Sequence, residues 1–263
     1  MKLITFVAPG SHLVRAGELR EGRAVAFTDE GTVLEHLTAE GHESAQGPDW
    51  PIDDVTLLAP IAEPRIIYCV ALNYKSHIDE TGFDRPDRPQ VFVKQPGASV
   101  AGNSTIARPA VVEKLDYEGE LAAVIGAYGQ VAGYAVANDL SARDLQKKER
   151  QWTRAKGADG FCPWGPWITT ADEVADAADL TVRTWVNDEL RQEFSTADML
   201  FGIEELTTFI AETNALRPGD LLLTGTGAGI GESFDPPRFL GPGDAIRIAI
   251  DGLGEIRHNI AVP

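Results

Sequence analysis

Asp116-Tyr117-Glu118-Gly119-Glu120-Leu121 leads into the apolar stretch Ala122-Ala123-Val124-Ile125. Alternate residues of a strand share one face, so Glu118 and Glu120 would stand side by side as two carboxylates. Like charges that close raise a pKa or call for a cation. For the pair alone, a solvated strand edge explains the sequence equally well. The run 131–138 reads as the next strand and delivers Asp139 at its end. A short turn between the two strands would bring this third carboxylate beside the others. Three carboxylates suit Mg2+ or Mn2+, hard ions that take oxygen ligands. The competing role for Asp139 is that of a helix N-cap.

Other side chains add proton-transfer and charge-stabilising chemistry. His77 and Glu80 lie three apart, and one helical turn would set them face to face. A carboxylate beside an imidazole fixes its tautomer and raises its basicity, which suits removal of a proton from water. An ordinary exposed ion pair has the same spacing. Lys156, among glycines and aromatics in Ala155-Lys156-Gly157-Ala158-Asp159-Gly160-Phe161, is placed to neutralise a developing oxyanion. Arg143 and Gln146, three apart, could address a substrate carboxylate, the arginine in bidentate fashion. For each of these the plain alternative is a surface side chain.

The run Gly225-Thr226-Gly227-Ala228-Gly229-Ile230-Gly231 is not a dinucleotide fingerprint, because isoleucine stands where the third glycine belongs. Nor does it carry the lysine of a phosphate loop. It reads instead as a wall where backbone approaches a small ligand. There is no serine in a nucleophile elbow and no zinc-protease helix motif, so those mechanisms lose their support.

These residues must be held by a β-rich frame. Strand-like runs recur at 2–8, 23–28, 32–35, 65–71, 90–94, 120–126, 131–138, 180–187, 220–224, 245–250 and 255–260, and helical patterns at 139–152 and 196–213. Strands do not alternate regularly with helices, which argues against a parallel dinucleotide-binding sheet. A polar, proline-bearing stretch places a boundary near residue 60, giving a small β-rich domain, 1–60, before a larger one, 61–263. The length of 263 residues, with 43% hydrophobic and 24% charged side chains, suits a globular chain of about that organisation. Its 23 basic and 40 acidic residues leave a net charge of −17, which disfavours nucleic acid and anionic membranes as partners. No run is long and apolar enough for a membrane span, and the expectation is a soluble, cytoplasmic protein. The two cysteines, Cys69 and Cys162, form no metal-binding pair and are expected to be buried thiols.

From about residue 67 to the C-terminus the chain resembles the fumarylacetoacetate hydrolase family, in particular its shorter bacterial and acylpyruvase-type members. The resemblance rests on the order and spacing of Asn73-Tyr74, His77, Glu80, Phe92-Val93-Lys94, Asp116-Tyr117-Glu118, Glu120-Leu121, Asn138 to Gln146, Ala155-Lys156-Gly157, Asp159, Gly165-Pro166 and Thr224-Gly225-Thr226. It implies an α+β, β-rich fold with a mixed β-sandwich or β-roll catalytic domain. It implies Glu118, Glu120 and Asp139 as ligands of Mg2+ or Mn2+, and His77 with Glu80 as a water-activating dyad on a short lid helix. Lys156 would hold enolate charge, and Arg143, Gln146, Lys94 and Thr226 would line the substrate site. The expected reaction is hydrolysis of a C–C bond in a 2,4-dioxo acid, such as an acylpyruvate, a fumarylpyruvate or a diketo-deoxy sugar acid, by a homodimer. Decarboxylation of an oxaloacetate-type acid, isomerisation of a 2-oxo-enoic diacid, and metal-dependent binding without turnover are the alternatives. One departure stands out: proline often follows Thr-Gly-Thr in the family, whereas here Gly227 does, which predicts a looser loop.

Overall fold

The computed structural model describes residues 1–39, 41 and 43–261. Two sheets carry the site. In the larger, ten strands follow one another in the order Asp49–Pro51, Arg23–Ala26, Val14–Arg20, Lys2–Val7, Cys162–Thr170, Val131–Asn138, Gly119–Ile125, Leu221–Leu223, Ile67–Ala71 and Gln90–Lys94. Along that path only Leu221–Leu223 and Ile67–Ala71 run parallel. The second sheet has the order Glu189–Ser195, Thr181–Val186, Ala245–Ile250, Gly254–Ile260 and Thr105–Ile106. The fold is therefore the mixed, β-rich α+β architecture expected.

The centre of the large sheet is apolar on both faces because two cores flank it. Leu221, Leu223, Ala122, Val124 and Trp164 belong to one; Leu121, Val136, Tyr117, Ile248 and Ile256 belong to the other, between the sheets. That double burial explains why Gly119–Ile125 is buried at every residue and reads as a continuous apolar run rather than an alternating one. The N-terminal strands continue the same sheet, since Lys2–Val7 pairs with Cys162–Thr170.

The strands Val14–Arg20, Cys162–Thr170 and Glu189–Ser195 lie outside the runs read as strands, and three expected elements come out differently. Residues 32–35 are not a strand: Thr32 caps the helix Val33–Thr38, and its backbone N–H in turn donates to Glu35 in a reciprocal capping box. The helix expected over 139–152 begins only at Arg143 and ends at Lys148, with a separate turn of helix at Thr153–Lys156. Asp139 is no N-cap, because Ser141-Ala142 first pairs with Leu115-Asp116. The pattern over 196–213 resolves into a short 3-10 turn, Thr196–Asp198, and a helix, Ile203–Ala211, whose Leu206 and Ile210 pack on the large sheet. Both cysteines are free and buried, and burial pushes the Cys162 thiol up to about 12.

Candidate active site

Antiparallel pairing of Gly119–Ile125 with Val131–Asn138 sets Gly119 opposite Asn138. This register places Glu118 next to Asp139, whose N–H donates to the Glu118 carbonyl at 2.9 Å. Glu118, Glu120 and Asp139 each offer an oxygen within 4.8 Å of the others, and all three are buried. Burial, then the charges of Asp139 and Glu118, push the Glu120 carboxyl well above the usual carboxylate range. For Glu118, burial also works upward. The Lys156 and Arg143 charges outweigh it and hold the group well below that range. A buried, all-oxygen set of three carboxylates, one of them destabilised in its charged form, fits a hard dication.

Three cations surround these acids. Lys156 Nζ lies 2.6 Å from Glu118 and 2.9 Å from Asp139. The Arg143 guanidinium donates to Glu118 at 2.6 Å, to Asp116 at 2.9 Å and to Gln146 Oε1 at 3.0 Å. Three of its five N–H donors are thus held by the protein's own side chains, although the residue also lines the cavity. Gln146 keeps its amide nitrogen for a ligand. Lys94 does not line the cavity. Its ammonium is drawn inward to Asp139 at 2.5 Å and to the carbonyls of Leu140, Phe161 and Lys156, so it positions a carboxylate instead.

Above this floor is a cavity of about 540 Å3 lined by His77, Lys156, Gln146 and Thr226 together with the apolar Phe92 and Trp152. His77 sits on the helix Lys75–Thr81, with Nδ1 3.0 Å from Glu80 Oε1. That leaves Nε2 for the cavity. The helix is anchored from outside itself: Asp198 accepts the Ser76 N–H at 2.8 Å, and Asn73 exchanges hydrogen bonds with Phe201 and donates to the Thr224 carbonyl. Asp198 supplies the cap that Tyr74, at the N-cap position, lacks.

The glycine run borders the cavity with Thr226 and Ile230, but three of its backbone N–H groups are not free for a ligand. Its backbone N–H groups meet the protein's own carboxylates: Gly225 donates to Glu120 at 2.7 Å, Gly229 to Glu80 at 2.9 Å, and Gly231 to Asp116 at 2.8 Å. Nor is the loop loosened at Gly227. A Cβ there would lie 2.2 Å from the Phe194 ring, so glycine is what lets that ring seat on the loop. The Thr226 hydroxyl donates to the Gly119 carbonyl at 2.9 Å and accepts from Gln192. Asp116 links Arg143 to this loop, a role that its place in the motif does not reveal. It is a fully buried carboxylate, and the tie it makes becomes visible only once both partners are placed.

The comparisons with known proteins agree with this fold. Residues 66–261 match the family described as fumarylacetoacetate (FAA) hydrolase C-terminal. The chain belongs to the fumarylacetoacetate hydrolase family. It is 41% identical over 226 residues to the oxaloacetate tautomerase YisK of Bacillus subtilis, covering 80% of this chain and 75% of that one. A fumarylacetoacetate hydrolase from psychrophilic Exiguobacterium antarcticum superposes with a TM-score of 0.90 at 36% identity, over 100% of both chains. A 5-carboxymethyl-2-hydroxymuconate delta-isomerase from Mycobacterium smegmatis does so with 0.82 at 33%, over 99% of each. Membership supports an enzyme; of these three relatives one is named a tautomerase, one a hydrolase and one an isomerase.

Proposed function

We propose that this enzyme moves a proton on the carbon beside the oxo group of a short 2-oxo acid, as a keto–enol tautomerase or double-bond isomerase. The observation that carries the reading is the opposition, within one cavity, of a buried Glu118–Glu120–Asp139 floor to the His77–Glu80 pair. Glu118, Glu120 and Asp139 would hold Mg2+ or Mn2+. Such an ion, when bound, acts as a Lewis acid on a 2-oxo carboxylate and makes the adjacent C–H more acidic.

The chain's own residues supply the rest. His77 Nε2 takes the proton from the carbon and delivers it to the oxo oxygen in tautomerisation, or to the far carbon of the conjugated system in isomerisation, while Glu80 holds Nδ1–H and stabilises the imidazolium that forms. The Lys156 ammonium meets the charge that develops on the oxo oxygen. The Gln146 amide nitrogen orients the carboxylate end. Phe92 and Trp152, in edge contact at 5.2 Å, exclude water from one side.

A second reading, hydrolysis of a 2,4-dioxo acid, is favoured by the same dyad, since a His–Glu pair also activates water. The experiment that tests the proposal is a panel with Mg2+ and with Mn2+. Enol–keto conversion of oxaloacetate and phenylpyruvate is followed by ultraviolet absorbance, cleavage of acylpyruvates by release of the acid, and decarboxylation by release of CO2. Tautomerisation faster than cleavage supports the first reading. Cleavage without tautomerisation replaces it with the second, and metal binding without turnover leaves a binding protein.

A further inference from the structure

The side chain that ties the two halves of the site together lies in neither of them. Gln192 is on Glu189–Ser195, an edge strand of the second sheet, and is 1% exposed. Its Oε1 accepts the N–H of Gly119, the residue between Glu118 and Glu120, at 3.0 Å. Its Nε2 donates to the Thr226 hydroxyl at 2.9 Å and to the Gly227 carbonyl at 3.2 Å. Thr226 closes the ring by donating to the Gly119 carbonyl. One amide therefore spans the peptide between two of the three floor carboxylates and the loop whose Gly229 N–H holds Glu80.

The surroundings leave little slack. A Cβ on Gly119 would lie 2.3 Å from the Thr184 hydroxyl and 3.1 Å from Ile248, so the second sheet presses directly on that peptide. Phe194, two residues along the strand from Gln192, seats on Gly227 and meets Tyr74 edge-on at 5.0 Å, at the base of the His77 helix. Groups behind metal ligands orient them, and their loss usually lowers metal affinity or activity about 10- to 100-fold.

We infer that Gln192 is a positioning residue: it sets the spacing between the floor carboxylates and the His77–Glu80 pair by clamping Gly119 to the Thr226–Gly227 turn. This rests on the metal reading proposed above. The test is Gln192→Met, which keeps the shape and removes all three hydrogen bonds. Binding of Mn2+ is titrated by the paramagnetic resonance of the free ion, kcat and KM are measured on the best substrate of the panel, and Ile246→Val serves as a packing control in the same sheet. The expected result is a loss of Mn2+ affinity of about tenfold and a fall in kcat larger than the change in KM, with neither seen in Ile246→Val. Where Gln192→Met does not fold, Thr226→Val removes the hydroxyl that the amide holds and is expected to weaken Mn2+ in the same direction. Wild-type affinity in the Gln192 variant, or a loss no greater than that of Ile246→Val, overturns the inference. Absence of Mn2+ binding in the unmodified protein overturns the metal reading instead.

Discussion

At the scale of single residues, two histidines in contrasting settings do different work. His77 is paired with Glu80 and faces a cavity, where an imidazole can carry a proton. His77→Asn is expected to lower kcat by a factor of about 10^2 to 10^4, the range for loss of a general acid–base, with Mn2+ affinity unchanged. A parallel loss of Mn2+ binding would show that the side chain serves the floor. His258 is 1% exposed and its Nε2 lies 2.9 Å from the Asn138 amide, whose Oδ1 accepts the Glu118 N–H. Burial pushes its pKa down to about 3, against about 6.5 in an unfolded chain. Below pH 6.5 the unfolded chain therefore binds a proton that the native protein refuses. Stability from this group is complete above that pH and falls as pH drops toward 3, by up to about 1.4 kcal/mol per unit. His258→Asn keeps an acceptor for Asn138 and removes the titration. Denaturant unfolding between roughly pH 4 and 6 is expected to show uptake of about one proton fewer than in the unmodified chain.

Among the elements, the glycine loop and the strand behind it act as one part. Gly227 admits the Phe194 ring, so Gly227→Ala forces a Cβ into it and is expected to cost about 1–3 kcal/mol. Phe194→Ala in that background should recover part of the loss, a coupling that a double-mutant cycle on urea unfolding measures. Additive effects would mean that the ring and the loop do not meet. This contact marks a limit of reading from sequence. The strands Gly119–Ile125 and Val131–Asn138 and the convergence of Glu118, Glu120 and Asp139 were legible, because apolar runs and the alternation of faces are local properties. The His77–Glu80 spacing alone fits an exposed ion pair as well, and only the family resemblance singled it out. Residues 32–35 misled because Thr32-Val33 favours a strand, although Thr32 and Glu35 already carried the spacing of a capping box. Lys94 and Arg143 could not be placed from spacing. Their partners, Asp139 and Asp116, lie 45 and 27 positions away on other elements. Gln192 left one trace, a polar residue at an inward position of an alternating strand, beside Phe194.

At the scale of the whole molecule, charge decides how the site can be filled. The chain carries −17, yet the buried site nearly balances: Asp116, Glu118, Glu120 and Asp139 face Arg143, Lys94 and Lys156. Fully ionised, that cluster holds one net negative charge. A dication turns it to one net positive charge, which a singly charged 2-oxo acid end neutralises. A ligand bound only by the native state stabilises it, by about 2.7 kcal/mol at a hundred times its dissociation constant. Mg2+ or Mn2+ is therefore expected to raise the melting temperature, and oxalate added with the metal to raise it further. Glu120→Gln separates this effect from general screening of the acidic surface. The amide keeps an acceptor for the Gly225 N–H and removes a carboxylate whose charged form is already disfavoured there, so the metal-free protein should melt close to the unmodified one. With one ligand charge gone, the metal-induced rise should largely disappear, while the rise produced by a monovalent salt at matched ionic strength stays. An unchanged Mn2+ shift in Glu120→Gln would place the ion somewhere other than on these three carboxylates.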